Sequence, residues 1–463
     1  MQNLQQYVED RHGRQSDHNW LLNEVKSVEH TNRIEHALEI EEYLEGQHQI
    51  LNKPVEEYKG EWYEPKKVIL QHGKTICNYH TSYLLQNKYQ FTGWDRVKEI
   101  YEGVDSRGSF YQTTYELGDS MSQHDYAFEY GYMDENRNIK SRRIKAIHSY
   151  PIFNDFGTMI AFIEHWKNAR KSYYIFYDGE FVYTFIGGSK GGKLQHMDTK
   201  YSITGLPTFI STGQDVSKLG RSMVNDFVPI IDVMEEITSK FADTFHKTHD
   251  PIKVIAGDMV FSKKKINEDI VGKVLHVSDE TKVYNLTTTL DYSSLKAIYE
   301  ILTKALLDVT NTPSISMNQG GGAANLAEVS IKMMYTLADM KAGRSEMNMR
   351  KAFYERFDKQ RRMLAMKGIT FTDEEFDSLD VQFRHARPQN EKEIIDNIAT
   401  LKSVGGISLE TILERSPLTE DVKVELIRLE REGQFDKPRQ VVEQVEVRKL
   451  GDGNVEGNGV EIV

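Results

Sequence analysis

A single cysteine, Cys77, stands in 463 residues, so no intrachain disulfide staples this fold. The chain also lacks an apolar run near the twenty or so residues a membrane-spanning helix needs, and its first residues lack the charged-then-apolar order of a secretory signal. These absences set the expectation of a reduced, intracellular, non-membrane protein. Positive charge is short as well: 58 Lys and Arg against 70 Asp and Glu leave a formal net charge of -12. Wrapping nucleic acid through a broad basic surface takes clustered Lys and Arg that displace counterions, and this composition argues against it. A DNA partner would have to slide past without sticking. What is present is 39% hydrophobic and 28% charged residues, ordinary for soluble globular proteins, in a length sufficient for two to four domains.

Reactive chemistry is equally sparse. Fifteen histidines show no H-E-x-x-H or comparable spacing, and Cys77 alone cannot build a zinc site, so no metal and no cofactor are expected. The best enzymatic lure is GGSKGGKL, residues 187–194, which satisfies G-x-x-x-x-G-K after the strand-like FVYTFI. A nucleotide-binding loop also needs Ser or Thr after the lysine and then a helix whose N-terminus faces the phosphates. Leu194 occupies that position and no helical period follows, so a β-hairpin turn is the better reading. A nucleotide-using enzyme built on Gly187 to Lys193 is the alternative. Gly73-Lys74-Thr75 is weaker still, with Val68 where the first glycine belongs.

Apolar periodicity predicts surface helices over 20–45 and a second helical pattern over 66–89 through Val68, Ile76, Tyr79, Leu84 and Leu85. Between 119 and 212 short β runs alternate with turn signals at Asp134-Glu-Asn136, Asn154-Asp155-Phe-Gly157 and Asp178-Gly179, which predicts antiparallel strands in an α+β domain. A long amphipathic helix follows. Asp226 is its expected N-cap, Pro229 falls in its first turn, and Phe227, Ile230, Ile231, Met234, Ile237, Phe241 and Phe245 share one stripe. Some twenty residues give a rod of roughly 30 Å. Strand-like pieces at 252–255 and 274–277 enclose Lys263, Lys264 and Lys265, either a solvated turn or a small basic ring facing DNA or a partner.

Asp291 then caps a second helix with Leu295, Ile298, Leu302, Leu306 and Val309 on one stripe, ended by Asn311 and Pro313. The segment MNQGGGAANLAE, residues 317–328, carries three consecutive glycines and introduces the longest helical pattern, marked by Leu326, Val329, Met333, Leu337, Met340, Met347, Phe353, Phe357 and Leu364. Continuous to 367, that helix is on the order of 60 Å long. Gly343 is its weak point, costing about 1 kcal/mol relative to Ala. Its methionines read as core filler, with an adaptable subunit interface as the alternative. A strand at 381–383 precedes three short helices at 391–402, 409–415 and 420–432, with Asn390, Ser408 and Thr419 as N-cap candidates. The charged, glycine-containing tail beyond 433 reads as disordered.

Six strings in order resemble the portal proteins of tailed double-stranded DNA bacteriophages, in the family typical of long-tailed phages of Gram-positive hosts. They are EEYLEGQHQIL; ICNYHTSYLLQNKYQFTG; YAFEYGYMDENRNIKSRRIKAIHSYPIFND; GRSMVNDFVPIIDVMEEITSKFAD, with Gly220, Ser222, Pro229, Ile230, Ile231 and Asp232 at the family's positions; VYNLTTTLDYSSLKAIYEILTKALLDVTNTP; and FRHARPQNEKEIIDNIATLKSVGGISLETILERSPLTEDVKVELIRLERE. Where the family often has Ser-Gly-x-Ala at the start of the long helix, this chain reads Asn325-Leu-Ala-Glu-Val-Ser330.

The resemblance implies an α+β, mainly helical portal fold with wing, stem, clip and crown, assembled as a ring of twelve subunits, or thirteen outside a capsid. Its implied divisions are an N-terminal wing at 1–225, stem helices at 226–250 and 291–313, a clip at 251–290, a tunnel loop at 314–328, the long wing helix and strand at 329–389, a crown at 390–432 and a tail at 433–463. It further implies a non-enzymatic conduit for double-stranded DNA in the virion, assembled in the host cytoplasm, with a terminase large subunit, a head–tail adaptor, and major capsid and scaffolding proteins as partners; another ring-forming structural protein of the virion is the further alternative. Asn318, Gln319, Gly320, Gly321, Gly322 and Asn325 would belong to the tunnel loop, and Lys263, Lys264 and Lys265 to the docking clip. Lys240, Lys247, Lys296 and Lys304 would offer weak, sliding contacts to DNA.

Overall fold

The computed structural model describes residues 3–14, 17–58, 61–169, 171–188, 192–211, 222–248, 252–256, 282–286, 292–314, 328–419 and 422–433. Helices α1 (Leu4–His12), α2 (Trp20–Glu24) and α3 (Val28–Leu44) come first, followed by a small hairpin of β1 (Glu56–Tyr58) and β2 (Glu61–Tyr63). Next are α4 (His72–Leu85), β3 (Gln90–Thr92), α5 (Asp95–Gly108) and α6 (Phe110–His124). Eight strands then run from β4 (Tyr126–Met133) and β5 (Ile139–Ile144) through β6 (Ser149–Phe153), β7 (Met159–Asn168), β8 (Lys171–Tyr177), β9 (Phe181–Gly188) and β10 (Gln195–Tyr201) to β11 (Thr208–Ser211). The β region expected from 119 therefore starts later, because 119–124 complete α6.

Beyond it lie α7 (Val224–Thr248), the paired strands β12 (Ile252–Ala256) and β13 (Lys282–Leu286), α8 (Tyr292–Thr310), α9 (Glu328–Ala365), α10 (Asp373–Asp377), β14 (Asp380–Gln382), α11 (Glu391–Ser403), α12 (Leu409–Arg415) and α13 (Val422–Arg431). The expected strand at 274–277 and the expected cap Asp291 lie outside the described residues, and β12 pairs with 282–286. The described residues fall into two compact units, one drawn from Met1–Ala323 and Val329–Pro388, the other from Ala324–Glu328 and Gln389–Val463.

Every strand pairing among the described residues is antiparallel. One sheet has the order β10-β9-β8-β7-β6 and a second β11-β4-β5, while β14 pairs with β3. The three turn signals do the work their chemistry suggests. Asp134 Oδ1 accepts from the Asn136 and Asn138 amides between β4 and β5, Asn154 Oδ1 from Phe156 and Thr158 between β6 and β7, and Asp178 Oδ1 from Glu180 and Phe181 between β8 and β9. Each side chain satisfies amides that a tight turn would otherwise leave open.

The N-terminal helices are held by one buried carboxylate. Glu24 accepts from Tyr7 Oη at 3.0 Å and lies 2.6 Å from His12 Nε2 and 3.2 Å from His30 Nε2. Burial alone would raise its pKa; the hydrogen bonds with His30 and His12 and the charge of Arg11 outweigh that and bring it down to about 2. A depressed carboxylate contributes stability above its ordinary value and loses it as pH falls toward the folded one. Glu24 should therefore supply about 3 kcal/mol above pH 4.5 that vanishes between roughly pH 4.5 and 2. Comparing acid unfolding of the wild type with Glu24→Gln checks this: the variant's stability should vary less with pH across that window, and parallel curves would contradict it.

In the second unit, Asn390 accepts from the Glu393 amide at the start of α11, and Ser408 Oγ from the Thr411 amide at the start of α12. Sequence reading placed these three helices within one or two residues.

Candidate functional site

Pattern alone places the start of α7 at Asp226, yet the helix begins at Val224, whose amide donates to the buried Ser222 Oγ at 3.0 Å. Asp226 sits in the first turn, where its charge suits the helix dipole. Pro229 is then inside the helix and removes one backbone bond. Phe227, Ile231 and Met234 are buried with Ile40 and Leu44 of α3, Ile76 and Cys77 of α4, and Leu306 of α8. Gly73 is needed there, since a Cβ on it would come 2.7 Å from the Phe227 ring. The Gly73-Lys74-Thr75 fragment thus has a packing explanation.

Beside this apolar stripe α7 carries a buried polar ladder that periodicity did not reveal. Glu235, Ser239 and Asp243, four residues apart on α7, accept from the amides of Leu70 (2.7 Å), Val68 (2.9 Å) and Lys66 (2.7 Å). Four residues of helix rise about 6 Å and two of extended chain about 6.6 Å, so the two spacings match. His48 Nδ1 lies 2.6 Å from Glu235 Oε1, and Tyr63 Oη donates to Asp243 at 2.7 Å. Because these amides are taken by α7 side chains, 66–70 is extended and α4 begins only at His72, correcting the helix expected from 66.

Among the described residues, two apolar surfaces of this unit have no partner. On α8, Leu306 is buried and Leu302 packs against the core, while Ile298, Ile301 and Val309 are exposed. On α9 the expected stripe is reversed over the first half of the helix. Ile331, Tyr335, Ala338, Ala342 and Met349 face the core, whereas Met333, Met340 and Met347 keep 73, 68 and 69% of their surface exposed, with Val329 and Leu337 beside them. The two stripes stand two residues out of phase, about 200° around the helix. Helix α9 is apolar on opposite sides, and it runs through Gly343 as one helical segment. Phe353, Phe357 and Leu364 are buried as expected.

The end of α8 meets the middle of α9 at Lys341. Its Nζ donates to the Thr310 carbonyl at 3.3 Å and lies 2.7 Å from Met223 Sδ. Thr310 is the last residue of α8, and Asn311 follows in the left-handed region at φ 56°. An ammonium here opposes the negative end of the helix dipole.

The structure distributes the sequence-nominated residues unevenly. Lys240 is exposed on α7 and pairs with Glu236 at 2.5 Å; Lys296 is exposed on α8 and pairs with Glu300 at 3.8 Å. Lys304 is exposed on α8, and Lys247 lies in the last turn of α7. Lys263, Lys264, Lys265, Asn318, Gln319, Gly320, Gly321, Gly322 and Asn325 lie outside the described residues. The 187–193 string joins two antiparallel neighbours, β9 and β10, with Ile186 opposite Gln195. It is therefore a hairpin connection, without the strand-to-helix order a phosphate loop requires.

A family model described as phage portal protein, SPP1 Gp6-like, matches residues 23–439. The portal protein of Bacillus phage SPP1 is 28% identical over 226 residues, covering 46% of this chain and 43% of that protein; the match thus spans less than half of the relative. Among solved structures, a chain from the neck of an empty GTA particle, computed with C6 symmetry, aligns with 10% identity and a TM-score of 0.44. One from the neck of a native GTA particle, computed with C12 symmetry, gives 9% and 0.42. Both alignments cover 73% of this chain and 86% of the other.

Proposed function

The chain belongs to the SPP1 Gp6-like family of phage portal proteins, and from that premise we propose that its copies close into the ring-shaped channel of the capsid portal vertex, through which double-stranded DNA is packaged and ejected. The family is a structural one of the virion, so the power for packaging falls to a separate terminase. One observation carries the ring: among the described residues of this single chain, apolar stripes stand unpartnered on two different helices, α8 and α9. When different faces of successive copies meet, the contact is heterologous, and it generates a closed ring if the rotation closes. Exposed methionines suit such a seam because their flexible side chains adapt to the neighbour.

Charge supports the conduit. At -12 per chain an assembled ring repels phosphate and so avoids tight binding that would stall the duplex. Lys240 and Lys296 carry glutamate partners four residues away, which weakens any single hold on DNA. In this reading residues 314–328 form the tunnel loop, and 251–290, with Lys263, Lys264 and Lys265, form the clip that docks the terminase large subunit and later the head–tail adaptor. Major capsid and scaffolding proteins surround the ring. Electron microscopy of the purified protein tests the proposal. We expect rings of about twelve or thirteen subunits around a hole wider than the roughly 20 Å duplex; a compact monomer or dimer without a channel would overturn it.

A further inference from the structure

Four elements meet around the half-buried Lys341 side chain. It projects from α9 onto the Thr310 carbonyl of α8 and Met223 Sδ just before α7, and Cys77 and His80 of α4 lie within its electrostatic reach. Among the described residues no carboxylate forms an ion pair with it; Asp226 of α7 and Asp125 after α6 act on it only at longer range. A thioether is a weak acceptor, and one carbonyl satisfies one of three N–H donors. Water would solvate this ammonium better than the pocket does.

We propose that Lys341 is a proton-operated release at this junction: its ammonium form favours parting of α9 from the end of α8, and its neutral amine favours the packed arrangement. The inference does not depend on the portal reading. Burial lowers the Lys341 pKa to about 8 from its ordinary 10.5. Between those values the parted form, with the amine in water, binds a proton that the packed form has released, so packing strengthens as pH rises through about 8 and weakens as it falls. The neighbours titrate elsewhere: burial pushes the Cys77 thiol up to about 12, burial and the Lys341 charge bring His80 down to about 3, and burial raises Asp125 to about 6. Asp226 and Arg344 complete the charged surroundings.

Hydrogen exchange of the full chain, read on amides 307–312 and corrected for the intrinsic rate, tests this. Wild-type protection should rise roughly tenfold from pH 7 to pH 9, while amides of α5 stay level. Lys341→Met should show high protection at both pH values and Lys341→Arg low protection at both. Equal wild-type protection at pH 7 and 9, or a persistent rise in either variant, overturns the proposal. If the Met variant fails to fold, the wild-type pair and the Arg variant still decide.

Discussion

Leu337→Asp combined with Met340→Asp should convert the proposed ring to monomers while leaving each chain folded. Both side chains are largely exposed on the face of α9 turned away from the core, so their replacement removes no contact with Ala338, Ala342 or Phe353. In the monomer the change costs only helix propensity, about 0.5 kcal/mol for each residue. At a subunit seam the same two positions would each forfeit about 1.5–3 kcal/mol of apolar burial and add the desolvation of a carboxylate. Because every seam in a ring repeats the loss, association should fall by at least a thousandfold. Light scattering after size-exclusion chromatography would show the monomer mass, and circular dichroism would show unchanged helix content. Persistent rings would mean that α9 does not line the seam, and the assembly would then have to rest on the exposed residues of α8.

Most elements were legible because their signals are local. Asp134, Asn154 and Asp178 announce their hairpins through side chains that bond to amides two to four residues away. Asn390 and Ser408 announce their helices in the same way. Helix α9 was located well but its first half was oriented wrongly, and the reason is size. Met333, Leu337 and Met340 are larger and more hydrophobic than Ala338 and Ala342, so a stripe chosen by hydrophobicity selects the exposed side. Small residues instead let α9 approach its neighbours closely, an advantage that depends on residues distant in sequence. The α7 ladder was illegible for a related reason. Glu235, Ser239 and Asp243 look like a solvated face until the amides of 66, 68 and 70 are placed beside them. The lysines nominated for the channel were chosen for charge alone, and whether a lysine already has a glutamate four residues away is local information that was present in Glu236 and Glu300.

Glu129→Leu should destabilise the monomer by about 3–5 kcal/mol, a loss confined to folding rather than assembly. Arg356 on α9 is buried, with Nε 2.9 Å from Glu129 Oε2 on β4 and Nη1 2.8 Å from Thr114 Oγ1 on α6. Its guanidinium carbon lies 4.5 Å from the centre of the Phe353 ring and 5.5 Å from that of Phe110. This one side chain therefore joins the long helix to both the sheet and α6. Removing the carboxylate leaves a charge that cannot reach water without breaking those contacts. Removing both charges is different: Glu129→Leu with Arg356→Met substitutes apolar volume for the pair and should recover most of the loss, since the desolvation of two ions disappears with their attraction. Urea unfolding of the two variants, each measured on the Leu337→Asp, Met340→Asp monomer to keep assembly out of the transition, separates the outcomes. A double variant as unstable as Glu129→Leu would show that the side-chain shapes at this junction matter more than the unpaired charge. A near-wild-type single variant would show that Arg356 finds another partner, for which the buried Asp105 of α5, already within its electrostatic reach, is the candidate.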